Sequence, residues 1–253
     1  MGRRWRKARI CRRKAVMKLS HLLVTALACV SIAACDGAKK DSSVEPGASV
    51  EGTAYGEISK GSPDAKAVLV EYASATCSHC ATLNEQIIKK LQPRIDAGEL
   101  RIEFREFLTE PANVAHASFK IARCAGADHY FEVLDDVFEN QMGIVVASQR
   151  RQLTPALFAV AQRHGLSKKD FETCLLDQKV HEAISANWYE GRKRGVTSTP
   201  TLYLNGKEVD RAIYFDLDAM NAEIDKANGI EPKKEETEKT ETVDDQKTEN
   251  TTE

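Results

Sequence analysis

Four residues constrain this chain more than any others: Cys77-Ser78-His79-Cys80. They follow a short β-branched apolar run, Lys66-Ala67-Val68-Leu69-Val70-Glu71-Tyr72, which reads as a buried strand. From Ser78 to about Arg94 the apolar residues Leu83, Ile87, Ile88 and Leu91 recur at helical spacing. Arg101 to Leu108 alternates and reads as a second strand. Strand, helix, strand over this length predicts a βαβ unit with Cys77 at the turn where the helix begins. A cysteine in that place meets free backbone N–H groups and the positive end of the helix dipole, both of which favour a thiolate.

A CxxC pair serves either as half of a zinc site or as a redox dithiol. Zinc needs a second pair of ligands at matching spacing. Cys35, Cys124 and Cys174 stand isolated, and the chain has no second CxxC and no HxxxH. The residues therefore favour the dithiol: Cys77 as the reactive thiolate, His79 inside the pair as a stabilising group, and Cys80, one turn into the helix, as the resolving thiol.

Charge sorts the rest of the chain. Residues 1–34 carry nine Lys or Arg and no acid, and without them 27 basic residues face 38 acidic ones, a net charge of −11. The basic end is thus read as a targeting device, and the acidic body argues against nucleic acid as a partner. Leu19 to Ala34 is uncharged and suits the apolar core of a signal peptide. A compact signal of the same kind begins at Met17, an alternative start. Ile32-Ala33-Ala34-Cys35 resembles the lipobox of bacterial lipoproteins, which implies acylation of Cys35 and a lipid anchor. In many Gram-negative lipoproteins an Asp in the place of Asp36 favours the inner membrane. The alternative is a soluble signal peptide with an incidental Cys35.

Residues 35–60, rich in Gly, Ser, Lys and Asp, read as a tether. A helical block is predicted from about Asn113 to Arg194, with Asp128, Thr154 before Pro155, and Ser167 as helix caps. Asn205-Gly206 between apolar runs predicts a hairpin, and a last helix is predicted from about Asp216 to Asn228. Residues 231–253 hold nine acids, four Lys and one apolar residue, Val243, too little to bury a core.

Two segments together resemble the DsbA family. Leu69-Val70-Glu71-Tyr72-Ala73-Ser74-Ala75-Thr76-Cys77-Ser78-His79-Cys80 is similar to its active-site segment. Gly195-Val196-Thr197-Ser198-Thr199-Pro200-Thr201-Leu202-Tyr203-Leu204-Asn205-Gly206 is similar to its cis-proline loop and following strand. The resemblance covers about Tyr55 to Asn228. It implies an α/β architecture, a thioredoxin fold with an inserted α-helical domain. The thioredoxin-like parts would be residues 61–111 and 195–229 and the insertion 112–194, followed by a disordered charged tail, 230–253.

The resemblance also assigns roles. Cys77 and Cys80 form the redox-active disulfide, with Cys77 facing the substrate, and His79 is the thiolate-stabilising histidine. Pro200 is the cis-proline beside that disulfide, and Thr199 offers backbone for pairing with an extended substrate. Glu71 is a buried acid able to relay the proton of Cys80; the residues alone allow a partly exposed strand-end charge instead. Two departures bear on oxidising power: Ser78 stands where the best-known members have Pro, and Thr199 where some strong oxidases have Val.

Cys124 and Cys174 fall on predicted helices of the insertion. A second, non-catalytic disulfide occurs in some relatives, so a Cys124–Cys174 bridge is expected, with two buried free thiols as the alternative. His116, His129, His164 and His181 read as surface or core histidines rather than ligands.

The implied activity is thiol–disulfide exchange with exported proteins that carry free cysteines, most simply as an oxidase. Re-oxidation would come from a membrane partner of the DsbB type. The rival directions are reductase or isomerase, fed by a membrane reductase. From another class, a peptide- or metal-binding module would use the same groove without exchange. No cofactor and no metal are expected. A monomer is expected on the periplasmic side of the inner membrane of a bacterial cell envelope.

Overall fold

The computed structural model describes residues 56–230. The expected signal peptide, the Cys35 acylation site and the acidic tail beyond Ile230 lie outside the described residues.

The βαβ unit is present. Its strands are β2 (Ala67–Ala73) and β3 (Leu100–Glu106), paired in parallel with Leu69 opposite Ile102 and Glu71 opposite Phe104. The intervening helical segment is not a single α-helix. It runs as α1 (Ser78–Leu83), a π turn (Asn84–Ile88), a 3-10 turn (Lys89–Leu91) and α2 (Gln92–Asp96). Pro93 lies in the first turn of α2, where its missing N–H costs no hydrogen bond.

The expectation of a tether reaching residue 60 is corrected. Ile58–Lys60 forms β1, antiparallel to β3 with Ile58 opposite Phe104. Ile58 is buried, and Glu57 pairs with Arg101 and Arg105 of β3. Three residues are too few to show a strand period, so the pairing partner decides this strand rather than its own sequence.

The sheet is completed by β4 (Thr201–Leu204) and β5 (Lys207–Glu208), in the order β1-β3-β2-β4-β5. The hairpin between them turns at Asn205 and Gly206, with φ of 47° and 81°, the left-handed pair that a two-residue hairpin turn requires. One sheet face carries Leu69, Ile102, Leu202 and Leu204 and is covered by Leu83, Ile87 and Leu91 and by Met220 and Ile224 of α9 (Leu217–Asn228). The other face carries Tyr72 and Tyr203.

Between β3 and β4 lie α3 (Ala112–Cys124), α4 (Tyr130–Glu139), α5 (Gln141–Gln149), α6 (Leu153–Arg163), α7 (Lys168–Leu176) and α8 (Gln178–Lys193). Ser167 caps α7 as expected, accepting from the Asp170 N–H at 3.2 Å. Thr154 and Asp128 do not cap: α6 starts after Gln152, and α4 starts after His129, behind a 3-10 turn. Gly191 of α8 lies against the sheet; a Cβ there would sit 2.9 Å from the Tyr72 ring, so only glycine lets the helix approach this closely.

Cys124 and Cys174 are disulfide bonded, joining α3 to α7 with Cα atoms 6.0 Å apart. The bridge spans a sequence separation of 50. Closing such a loop in the unfolded chain stabilises the fold by about 4 kcal/mol. Replacing both cysteines by alanine is expected to lower the midpoint of thermal unfolding by about 10 °C, read by circular dichroism. An unchanged midpoint would show that the bridge adds nothing.

Candidate active site

Cys77 ends the loop after β2 and is the N-cap of α1. It is half-buried, Cys80 is fully buried, and both are free thiols. The loop beneath them is tightly held. Ser74 Oγ accepts from Thr109 Oγ1 at 2.8 Å, and Thr76 Oγ1 lies 3.1 Å from the same hydroxyl. From the helical insertion, the Gln141 amide donates to the carbonyls of Ala75 at 3.0 Å and Cys77 at 3.1 Å. No local pattern marks this third anchor, because a glutamine opening a helix looks like any surface residue.

The peptide bond between Thr199 and Pro200 is cis, and the Cys77 thiol donates to the Thr199 carbonyl at 3.3 Å. The two segments quoted for the family resemblance are thus in contact, although 122 residues separate Cys77 from Thr199. Pro200 is buried behind them.

These contacts split the two thiols. The Cys77 pKa falls from 9.0 to about 5: a hydrogen bond from the Cys80 thiol is the largest cause, and burial opposes it. The Thr199 side chain and the backbone N–H groups of Cys80 and His79 add to the lowering. Cys80 moves the other way, well above 9.0, through burial first and then the bond to Cys77. The His79 ring is exposed. Its backbone N–H is among the groups that lower the Cys77 pKa.

Glu71 lies on β2 beneath this pair and is 2% exposed, which removes the reading as an exposed strand-end charge. Its Oε1 has no hydrogen-bond partner among the described residues. Burial raises its pKa to about 8, with Lys60 of β1 opposing and Asp135 and Cys77 adding to the rise. Lys60 stands on the same sheet face, its ammonium 4.9 Å from the centre of the Phe131 ring. A carboxyl that holds a proton near neutral pH beside a thiol of raised pKa is suited to pass that proton.

A sign follows for stability. The native state binds the Glu71 proton more tightly than the unfolded chain does. Its contribution is therefore full below pH 4.5 and is lost as pH rises through about 8. Glu71→Gln should leave stability nearly unchanged at pH 5 and increase it relative to wild type at pH 9, measured by urea unfolding. A variant that loses stability more at pH 9 than at pH 5 would reverse this.

One buried ionic centre was not foreseen. Glu106, at the end of β3, is 0% exposed and Arg123 of α3 is 1% exposed. Arg123 donates to both carboxylate oxygens, at 2.5 and 2.9 Å, and the Tyr130 hydroxyl donates at 3.2 Å. The Asn187 amide of α8 donates to Glu106 as well. In sequence Glu106 follows Ile102 and Phe104 on the inward half of the alternation, where a charge reads as the end of the strand rather than as a buried group.

Residues 53–226 match the protein family described as Thioredoxin. The chain belongs to the thioredoxin family. Among curated relatives, one named as a protein-disulfide oxidoreductase, from Rickettsia bellii (strain RML369-C), is 30% identical over 170 residues, 66% of this chain and 62% of that protein. One from Rickettsia conorii (strain ATCC VR-613 / Malish 7) is 27% identical over 178 residues, 69% of this chain and 61% of that one. The chain thus spans about three fifths of the length of these relatives. Wolbachia pipientis alpha-DsbA1 superposes with a TM-score of 0.59 at 24% identity, covering 68% of this chain and 91% of that one. BdbD from Bacillus subtilis gives 0.58 at 18% identity, over 68% and 92%. The fold is therefore the DsbA form of the thioredoxin fold, with helices inserted between β3 and β4.

Proposed function

We propose that the chain is a thiol–disulfide oxidoreductase that donates the Cys77–Cys80 disulfide to other proteins. The observation that carries this reading is the division of the pair: Cys77 half-buried with a pKa near 5, Cys80 buried with its pKa raised.

A substrate thiolate attacks Cys77 Sγ of the closed pair, which is the accessible sulfur. The Cys77–Cys80 bond breaks, a substrate–Cys77 disulfide forms, and Cys80 leaves with the electron pair. Its high pKa means that it takes up a proton, and Glu71, whose charge acts on Cys80, is an acid of suitable pKa. A second substrate thiolate then attacks the substrate sulfur of the mixed disulfide. Cys77 leaves as a thiolate, a good leaving group because its pKa is low. The substrate has lost two electrons and the pair has gained them. The Thr199 backbone beside Cys77 supplies hydrogen bonding for an extended substrate strand.

Stabilising the Cys77 thiolate favours the reduced pair and so drives transfer toward the substrate, which supports the oxidase direction over reductase or isomerase. The leader, Cys35 and the acidic body support exported proteins as substrates. They also support a periplasmic, lipid-anchored location and re-oxidation by a membrane partner of the DsbB type. The oxidised chain mixed with a reduced, unfolded protein should form disulfides in that protein while Cys77 and Cys80 become reduced one for one, followed by thiol alkylation and mass spectrometry. Transfer no faster than with oxidised glutathione would overturn the proposal.

A further inference from the structure

Outside the redox centre, α3 and α8 bring two histidines together. His116 Nε2 lies 2.8 Å from His181 Nδ1, with ring centroids 4.7 Å apart and planes tilted by 55°. His116 is half-buried and His181 is exposed. The contact adds to a series that pins α3 to the α7–α8 region at every turn. One turn on, Lys120 donates to the carbonyls of Leu175 at 2.7 Å and Asp177 at 3.0 Å, and one turn further Cys124 bonds Cys174. The outer end of this series, unlike the others, is held by two metal-ligating groups, one of them open to solvent.

We propose that His116 and His181 form a two-imidazole chelate for a divalent transition-metal ion, Cu(II) above all, clamping α3 to α8. Without metal, one ring must donate an N–H to the other. With metal, the shared proton moves to the far nitrogen of the donor ring and both facing nitrogens become ligands. Affinity of an imidazole pair for divalent first-row ions peaks at Cu(II), which selects the ion. With metal–nitrogen bonds of about 2.0 Å, nitrogens 2.8 Å apart subtend roughly 90° at the metal. That is the cis angle of a tetragonal Cu(II) or Ni(II) site. Exposed His181 is able to turn its ring toward the ion. No third His, Cys, Asp or Glu completes a cluster among the described residues, so water fills the remaining positions.

The electrostatic surroundings are mixed. Lys120 opposes a cation, whereas Glu106 favours positive charge at His116. Burial, His181 and Lys120 lower the His116 pKa to about 4, so this ring is neutral and ready to ligate at neutral pH.

The test uses the full chain with Cys77 and Cys80 oxidised to their disulfide and Cys11, Cys29 and Cys35 alkylated, so that no free thiol binds or reduces copper. Cu(II) titration followed by electron paramagnetic resonance should show a site with two nitrogen donors, and bound Cu(II) should raise the thermal midpoint. His181→Ala, at an exposed position, and His116→Gln should each weaken that site by about tenfold or more and remove the copper-induced rise. His21 and the acidic tail are common to all three proteins and cancel in the comparison. Zn(II) should bind more weakly than Cu(II). Equal Cu(II) affinity and equal thermal shifts in wild type and His181→Ala would overturn the proposal. So would a wild-type spectrum without the two-nitrogen signature.

Discussion

Cys77→Ser should abolish thiol–disulfide exchange, whereas Cys80→Ser should stop it half-way. Cys77 is the sulfur that solvent and substrate reach, and its thiolate is held by the Cys80 thiol, Thr199 and two backbone N–H groups. Without it the remaining thiol is buried and fully protonated at neutral pH, hence a poor nucleophile. With Cys80 replaced, Cys77 still forms mixed disulfides, but no internal thiol resolves them. Incubation of Cys80→Ser with a substrate carrying an activated disulfide should therefore trap a covalent complex through Cys77. The complex should be visible on a non-reducing gel and absent for Cys77→Ser. Trapping by Cys77→Ser instead would assign the roles the other way round.

The second large effect concerns stability. Arg123→Met should lower folding stability by about 3–5 kcal/mol, because it leaves the Glu106 carboxylate buried without its main counter-charge. The thermal midpoint should fall by about 10 °C or more. Glu106 also accepts from Tyr130 and Asn187, so α4 and α8 are joined to β3 at the same point. Adding Glu106→Gln to Arg123→Met should recover part of the loss, since no net buried charge is then left. A double variant less stable than Arg123→Met alone would show that the cost was packing rather than charge. Urea unfolding of the three proteins decides between them.

How much of this was legible in the sequence differs by element. Local signals were legible: the apolar run of β2, the Asn205-Gly206 turn and the Ser167 cap each act through neighbouring residues. The cis peptide before Pro200 and the proximity of Thr199 to Cys77 came through family resemblance, not through periodicity. What stayed hidden depends on partners far along the chain. β1 is a strand because Ile58 lands opposite Phe104. Gln141 holds the Cys77 loop because α5 starts beside it, and Glu106 is buried because Arg123 arrives one element later. The His116–His181 pair is of the same kind, 65 residues apart in sequence. His79 adds a backbone N–H to the Cys77 site, a contribution that does not depend on its side-chain type.

The reduction potential of the Cys77–Cys80 pair, measured by equilibration with glutathione buffers, separates an oxidase from a reductase. A Cys77 pKa near 5 lies between the values of about 7 for thioredoxin and about 3.5 for DsbA. The potential should accordingly fall between about −270 and about −120 mV, on the oxidising side of thioredoxin. A value at or below that of thioredoxin would contradict the proposed oxidase.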